Sequence, residues 1–176
     1  ILLGFCCLSL TAESQITPAA EHPTLAIGAE APDFSLKGVD GNTYTLASFR
    51  SSPILVIVFT CNHCPTAQAY EDRIIQLTND YGSRGVAMIA ISPNDPKAIR
   101  TNELDYTDLS DTYEDMKLRA ARKKFNFPYL FDGATQVTSK AYGPIATPHI
   151  FIFDKDRKLR YSGRIDNVEK PTKTPT

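Results

Sequence analysis

The order of apolar and polar positions along the chain predicts alternating strands and helices. Residues 54–59 form a continuous apolar run rich in β-branched side chains, which predicts a buried strand. From 65 to 82 the apolar positions recur at helical spacing and stop at a glycine, which predicts a helix. Residues 86–91 predict a second buried strand. Strand, helix and strand in this order make a right-handed βαβ unit, so we expect two parallel neighbouring strands.

Two hairpins are predicted on either side of this unit. Short apolar segments at 34–36 and 44–46 flank an Asp-Gly pair, which is typical of a tight β-hairpin turn. Residues 150–153 and 159–163 predict a second, antiparallel pair of strands around a charged turn. The sequence therefore predicts a mixed sheet with both parallel and antiparallel strands.

The region between the βαβ unit and the second hairpin is more polar. Residues 93–110 predict a loop or short helix, and Asp111 with Glu114 has the spacing of a capping box that starts a helix. A short strand at 127–132 and a helix at 135–141 follow. The acidic residues near the capping box lack the ligand and glycine spacing of a calcium loop, which predicts a solvated face. These residues are Asp105, Asp108, Asp111, Glu114 and Asp115.

Length and charge limit the class of protein. The chain has 176 residues, of which 42% are hydrophobic, so it can bury one sizeable core, which we assign to a domain over 28–166. Nineteen basic residues stand against twenty acidic ones, and there is no basic run. We therefore expect no nucleic-acid partner. The polar, proline-containing residues 167–176 predict a disordered tail.

The first residues predict export. Residues 1–10 are almost wholly apolar, too short to span a bilayer, and followed by a polar stretch. We interpret 1–15 as a truncated signal peptide and 16–27 as a linker, which predicts a location in a bacterial periplasm or cell envelope. Cys6 and Cys7 leave a lipid anchor open as an alternative, although Phe5 stands where a small residue is expected. A buried or disordered tail of a cytosolic protein is the remaining alternative.

Cys61-Asn62-His63-Cys64 is the main candidate for chemistry, because it joins the predicted strand at 54–59 to the helix at 65–82. Exposed N–H groups and the helix dipole favour a thiolate at a helix start. A structural zinc site needs four ligands, and no second cysteine or histidine pair has ligand spacing. The motif therefore predicts a redox pair, with no metal and no organic cofactor.

His63 lies next to the second cysteine of this motif. A cationic imidazole there is predicted to stabilise the thiolate and so to make the pair more oxidising than that of thioredoxin. The alternative is a solvent-exposed spacer with no electrostatic role.

Several motifs resemble the AhpC/TSA and redoxin families of the thioredoxin-like superfamily. They are Gly-Ala-Glu-Ala-Pro-Asp-Phe at 28–34, Ala-Thr-Pro at 146–148, Asp-Lys-Asp at 154–156 and Gly-Arg-Ile-Asp at 163–166. The resemblance covers residues 28–166. It implies an α/β, thioredoxin-like fold, with a central mixed sheet flanked by helices and an N-terminal hairpin extension.

The resemblance also implies a function and site residues. The activity would be thiol–disulfide exchange with protein thiols and disulfides, in a monomer that is reset by a membrane or soluble redox partner. Cys61 would be the exposed nucleophile and Cys64 the shielded, resolving thiol. Pro148 would be cis beside the pair, and the backbone of Thr147 would bind a substrate strand.

This sequence departs from the thioredoxin pattern at three places. Leu55 occupies the position of the buried acid that accepts a proton in thioredoxins, and Thr60 replaces their tryptophan before the first cysteine. Residues 167–176 contain one aliphatic side chain, so we expect the final helix of the fold to be missing from this chain. The first two departures argue against an efficient general reductase.

Two other functions stay open as alternatives. A peroxiredoxin-like thiol peroxidase would carry a threonine three residues before the reactive cysteine, but Val58 stands there before Cys61. A copper-binding chaperone of the SCO type would use two thiolates and an imidazole, which His149 could supply. Those chaperones use CxxxC, however, and this chain has CxxC.

Overall fold

The computed structural model describes residues 22–100, 104 and 107–166, which form a seven-stranded mixed sheet with helices on both faces. The strands are β1 Ser35–Gly38, β2 Thr43–Thr45, β3 Ile54–Phe59, β4 Val86–Ser92, β5 Tyr129–Phe131, β6 His149–Phe153 and β7 Leu159–Gly163. The helices are α1 Pro65–Gly82, α2 Tyr113–Lys123 and α3 Val137–Tyr142, with a 3-10 helix at Leu46–Phe49. The strand order is β2-β1-β5-β4-β3-β6-β7.

The central strands confirm the predicted βαβ unit. β3 and β4 are parallel neighbours connected by α1, and β5 adds a third parallel strand. β6 is antiparallel to β3, and β7 is antiparallel to β6, so the predicted C-terminal hairpin is also confirmed. β1 and β2 form the predicted N-terminal hairpin, which joins the sheet at β5. The mixed sheet and α/β class are as expected.

The two faces of β3 explain why its sequence is apolar without alternation. Leu55, Ile57 and Phe59 pack on one face with Tyr142 of α3. Val56 and Val58 pack on the opposite face with side chains of α1 and α2. A strand that is covered on both faces buries every side chain, and a continuous apolar run is typical of such strands. This burial fixes β3 and therefore the loop that leaves its carboxyl end.

The start of α2 differs from the prediction. Thr112, not Asp111, is the N-cap, and its hydroxyl accepts a hydrogen bond from the backbone N–H of Asp115 at 3.2 Å. Asp111 is turned inward and fully buried. The interpretation of Asp111 as part of a solvated face is therefore wrong, whereas Asp108 and Glu114 are exposed. The physical reason is that polar groups of the neighbouring loops bind the Asp111 carboxylate.

Some predictions lie outside the described residues: the signal peptide at 1–15, the first half of the linker at 16–21, Asp105 and the tail at 167–176. Within the part of the chain that the structure describes, no helix combines the length and the apolar character needed to cross a membrane.

Candidate active site

The candidate site lies at the carboxyl ends of the parallel strands, where open α/β sheets commonly place their functional residues. The loop from β3 to α1 carries Cys61 and Cys64. The segment after β4 contributes Asn94, the segment before α2 contributes Asp111, and the segment before β6 contributes Thr147. Residues far apart in the sequence therefore meet around the two cysteines.

Both cysteines are free thiols that contact Thr147. The Cys61 sulfur lies 3.3 Å from Thr147 Oγ1, and the Cys64 sulfur lies 3.6 Å from the carbonyl oxygen of Thr147. The peptide bond between Thr147 and Pro148 is cis, as the family resemblance implied. The structure thus brings four of the predicted site residues together.

The exposure of the two thiols is the reverse of the expectation. Cys61 is 3% exposed, whereas Cys64 is half-buried. The reason is the position of the helix start: α1 begins at Pro65 with Cys64 as its N-cap, so Cys64 and not Cys61 lies at the helix N-terminus. The prediction of an exposed Cys61 and a shielded Cys64 is wrong in this structure.

The protonation of the pair follows from this geometry. A hydrogen bond from the Cys61 thiol lowers the pKa of Cys64 to about 5, and backbone N–H groups of Ala67 and Thr66 contribute while burial opposes. The same hydrogen bond, burial and the negative charge of Asp111 raise the pKa of Cys61. The two sulfurs therefore titrate as a coupled pair, and the hydrogen bond between them favours a thiolate on Cys64 over one on Cys61.

Asp111 makes four hydrogen bonds beneath the cysteine loop. The backbone N–H groups of Asn62 and His63 donate to Oδ1 at 2.7 and 3.2 Å. Oδ2 lies 2.7 Å from Nδ1 of His63 and accepts from Nδ2 of Asn94 at 2.6 Å. Sequence reasoning missed this role. The overlapping pattern Thr112-x-x-Asp115 was the available signal, since it supplies an N-cap without Asp111.

His63 lies beside the pair as predicted, with its ring held by Asp111 and 20% exposed. A positive charge on this ring faces a carboxylate as well as the sulfurs. The predicted stabilisation of the thiolate by His63 stays a prediction.

Asn62 anchors the rest of the loop and was also missed. It is 1% exposed, its Nδ2 donates to the carbonyl oxygen of Ser110 at 2.7 Å, and its Oδ1 accepts from the Tyr129 hydroxyl at 3.2 Å. Gln68 of α1 donates to the backbone carbonyl oxygen of Asn62 at 2.7 Å. The loop between the cysteines is therefore fixed from three sides.

Cys61, His63 and Asp111 form a group whose ligand atoms lie within 4.8 Å of one another. Both carboxylate oxygens of Asp111 and Nδ1 of His63 are already hydrogen-bonded, which accounts for their proximity. We therefore propose no metal site there.

His149 does not join the cysteines. Its Nδ1 accepts from the backbone N–H of Ile145 at 3.1 Å, its Nε2 lies 2.9 Å from the Ser162 hydroxyl, and its ring stacks on Phe151. Burial lowers the pKa of His149. The loop before β6 and the strand β7 thus each bind one ring nitrogen, and His149 is not positioned as a copper ligand beside the two cysteines in this structure.

Two residues at which the sequence departs from related proteins are fully buried in β3. Val58, at the position of the peroxiredoxin threonine, is fully buried in β3 against α1 and α2, and it offers no hydroxyl to a peroxide. Leu55, at the position of the thioredoxin acid, is fully buried on the opposite face.

Two concave surfaces flank Thr147. A groove of about 350 Å³ is lined by Thr66, Tyr70, Thr147, Pro148, Arg164 and Ile165. A second cavity of about 400 Å³ lies on the other side, between Asn94 and Lys140. The Thr147 backbone therefore forms a ridge next to the two thiols that a second polypeptide can approach.

Comparison with known proteins agrees with a thioredoxin-like oxidoreductase. The chain is 25% identical over 142 residues to thiol-disulfide oxidoreductase ResA of Geobacillus thermodenitrificans, which covers 80% of this chain and 70% of the relative. Residues 27–162 match the model of the AhpC/TSA family, so the chain belongs to that family.

Solved structures give the same result for the fold. A hypothetical protein from Sinorhizobium meliloti 1021 is 34% identical, with a TM-score of 0.75, over 88% of this chain and 79% of that one. The thioredoxin domain of a thiol-disulfide oxidoreductase from Bacteroides vulgatus is 18% identical, with a TM-score of 0.63, over 79% of this chain and 89% of that one. The predicted thioredoxin-like fold is confirmed.

Proposed function

We propose that this protein is a thiol–disulfide oxidoreductase that acts on protein thiols and disulfides through Cys61 and Cys64. The observation that carries the proposal is the pair of free thiols in the loop that joins β3 to α1, both in contact with Thr147 of the cis Thr147–Pro148 peptide. Membership of the AhpC/TSA family and similarity to proteins named thiol-disulfide oxidoreductase ResA support it.

The chemistry is two successive thiol–disulfide exchanges. One thiolate of the pair attacks a substrate disulfide, which forms a mixed disulfide and releases one substrate thiolate. The second cysteine then loses its proton and attacks the mixed disulfide, which forms the Cys61–Cys64 disulfide and releases the other substrate thiolate. The substrate gains two electrons and the pair loses two. The reverse sequence oxidises a substrate dithiol.

The order in which the cysteines act is a separate part of the proposal. The family resemblance assigns the attack to Cys61 and the resolution to Cys64. The half-buried Cys64 at the helix N-terminus, with its pKa lowered to about 5, supports Cys64 as the first thiolate. Changing the resolving cysteine to serine should trap the attacking cysteine in a mixed disulfide with the substrate. The cysteine found in that mixed disulfide is therefore the one that attacks first.

Substrate binding is assigned to Thr147, Pro148 and the groove beside them. The groove is lined by apolar surface from Tyr70 and Ile165 and by the exposed Arg164. A polypeptide in this groove would place its disulfide against the thiols while its backbone contacts Thr147.

We also propose export to the periplasm or cell envelope, from the apolar residues 1–10 and the resemblance to ResA proteins. Resetting of the pair by a membrane or soluble redox protein belongs to the same proposal. Fusion of residues 1–27, preceded by a start methionine and a short basic segment, to a reporter that is active only outside the cytoplasm tests export directly, and an inactive fusion contradicts it.

The activity is tested with purified reduced protein and a disulfide-containing peptide. We expect release of peptide thiols in wild type and loss of turnover in Cys61→Ser and in Cys64→Ser. One of the two variants should accumulate a mixed disulfide that is visible by mass spectrometry. Peroxide consumption that survives in Cys64→Ser, without disulfide exchange in wild type, would replace the proposal by a thiol peroxidase.

A further inference from the structure

We propose that Asp111 is a positioning residue of the redox pair: its carboxylate holds the loop between the cysteines and places a negative charge beside Cys61. The inference deepens the proposed function and rests on Cys61 and Cys64 being the redox pair. It assigns to the segment before α2 a role that neither the family motif nor the cysteine motif contains.

The first step of the argument is the backbone of the loop. The N–H groups of Asn62 and His63 follow Cys61 directly, and both donate to Oδ1 of the fully buried Asp111. A thiolate at Cys61 would need such donors nearby, since hydrogen bonds to the charged form lower a pKa. Because Asp111 takes both, the partners left to the Cys61 sulfur are the Thr147 hydroxyl, the Cys64 sulfur and the backbone N–H of Cys64.

The second step is charge. Asp111 raises the pKa of Cys61, after the hydrogen bond to Cys64 and burial, and so disfavours ionisation of Cys61. Its Oδ2 also lies 2.7 Å from Nδ1 of His63, which fixes that ring beside the cysteine loop. Asp111 therefore acts on Cys61 by its charge and on the loop by its contacts.

The third step excludes other charges as the cause. The neutral Asn94 donates to Asp111, and the buried Tyr129 hydroxyl, whose pKa is raised well above 10.0 mainly by burial, donates to Asn62. Glu71 of α1 is paired with Arg119 of α2, so its charge is compensated where it stands. Among the described residues that face the pair, Asp111 is the anion in hydrogen-bond contact with the cysteine loop.

The consequence is a measurable shift. A reduced pair whose thiolate is stabilised is more oxidising. Asp111→Asn keeps the side chain's shape and removes its charge, so the Cys61 thiol should lose its proton at lower pH. The disulfide form should be reduced more readily.

The test compares Asp111→Asn with Glu71→Gln, a second buried carboxylate changed to an amide on the same chain. The rate of alkylation of the reduced protein is measured against pH, and the dithiol–disulfide equilibrium is measured with glutathione. For Asp111→Asn we expect the alkylation midpoint of Cys61, followed by peptide mass spectrometry, to fall by about one pH unit. The glutathione equilibrium should shift at least about tenfold towards the dithiol, which is about 30 mV. Glu71→Gln should leave both values as in wild type.

A folded Asp111→Asn protein with wild-type midpoint and equilibrium would overturn the proposal, as would equal shifts in both variants. If Asp111→Asn does not fold, the carbonyl-carbon NMR signal of the Asp111 side chain in wild type is followed against pH instead. A step at the cysteine midpoint supports the proposal, and its absence overturns it. The alkylation profile needs no substrate, so a wild-type protein that titrates as expected but exchanges no disulfide would refute only the proposed function.

Discussion

Two buried carboxylates lie on the same side of this molecule and differ in what they bind. Glu71 of α1 accepts two parallel hydrogen bonds from Arg119 of α2, at 2.7 and 2.8 Å. Asp111 binds His63, two backbone N–H groups and Asn94. Both side chains are at most 5% exposed. The first joins two helices, and the second holds the loop that carries the cysteines.

The difference shows how a buried charge is assigned a role. The bidentate arginine pair engages both carboxylate oxygens of Glu71 from the neighbouring helix, so we expect its effect to be on stability. Three of the four hydrogen bonds of Asp111 come from Asn62 and His63 of the loop between the cysteines. We therefore expect its charge to affect the protonation of the sulfurs. The exposed fractions of Glu71 and Asp111 are nearly the same and would not have distinguished these two roles.

The largest expected effect on stability comes from breaking the Glu71–Arg119 pair between α1 and α2. Arg119→Met leaves Glu71 buried without its main partner, which should lower the free energy of unfolding by about 3 kcal/mol. We place this at the low end because Lys123 Nζ remains 3.7 Å from Glu71. Urea unfolding of the disulfide form measures it. Lys117→Met, which removes an exposed pair with Glu114 on the same helix, should lower the free energy of unfolding far less than Arg119→Met.

Asp111→Asn should lower the free energy of unfolding less, by about 2 kcal/mol, because the amide oxygen can still accept from the loop backbone. Its distinguishing effect is on the thiols. Urea unfolding in the disulfide and dithiol forms separates the two contributions. A stability loss larger than that of Arg119→Met, with an unchanged alkylation profile, would make Asp111 a purely structural residue like Glu71.

The pH dependence of stability should come from the cysteine loop. The pKa of Cys64 is lowered from 9.0 to about 5 by the Cys61 thiol and helix N–H groups, so the folded reduced protein binds this proton more weakly than the unfolded chain. The resulting stability is present near pH 9 and is lost as the pH falls towards 5. Unfolding of the reduced protein across this window should show a rise with pH that reduced Cys64→Ser lacks. Parallel curves for the two proteins would contradict it.

The smallest expected effect is at the edge of the loop. Tyr129→Phe removes a 3.2 Å hydrogen bond to Asn62 and should cost about 0.5–1 kcal/mol in the free energy of unfolding. Because Asp111 keeps its four hydrogen bonds, the alkylation midpoint should not move. A shift as large as that of Asp111→Asn would mean that Asn62, not Asp111, controls the pair.

The sequence predicts most of the fold because its patterns are local. The apolar run of β3 and the helical spacing of α1 gave bounds that the structure reproduces. The motif at 146–148 predicted the cis peptide through family resemblance. The N-cap of α2 was predicted at Asp111 and lies at Thr112, because two capping patterns overlap there and propensity cannot separate them.

The candidate site was predicted only in part. Cys61, His63, Cys64 and the Thr147–Pro148 peptide come together as expected, since they lie in or next to recognisable motifs. Asp111 reaches the loop across 48 and 49 residues of sequence, and Asn94 reaches Asp111 across 17. No local pattern marks such contacts, and the exposure of each cysteine depends on the same packing.

The central claim is that Cys61 and Cys64 form the redox couple, and its reduction potential tests this most directly. After equilibration of wild type with glutathione, we expect one reversible two-electron couple whose disulfide joins Cys61 to Cys64, identified by peptide mass spectrometry. Its potential should lie above the value of about −270 mV for thioredoxin, because the reduced pair holds a stabilised thiolate on Cys64. A chain that forms no Cys61–Cys64 disulfide, or a couple below that value, would contradict the account.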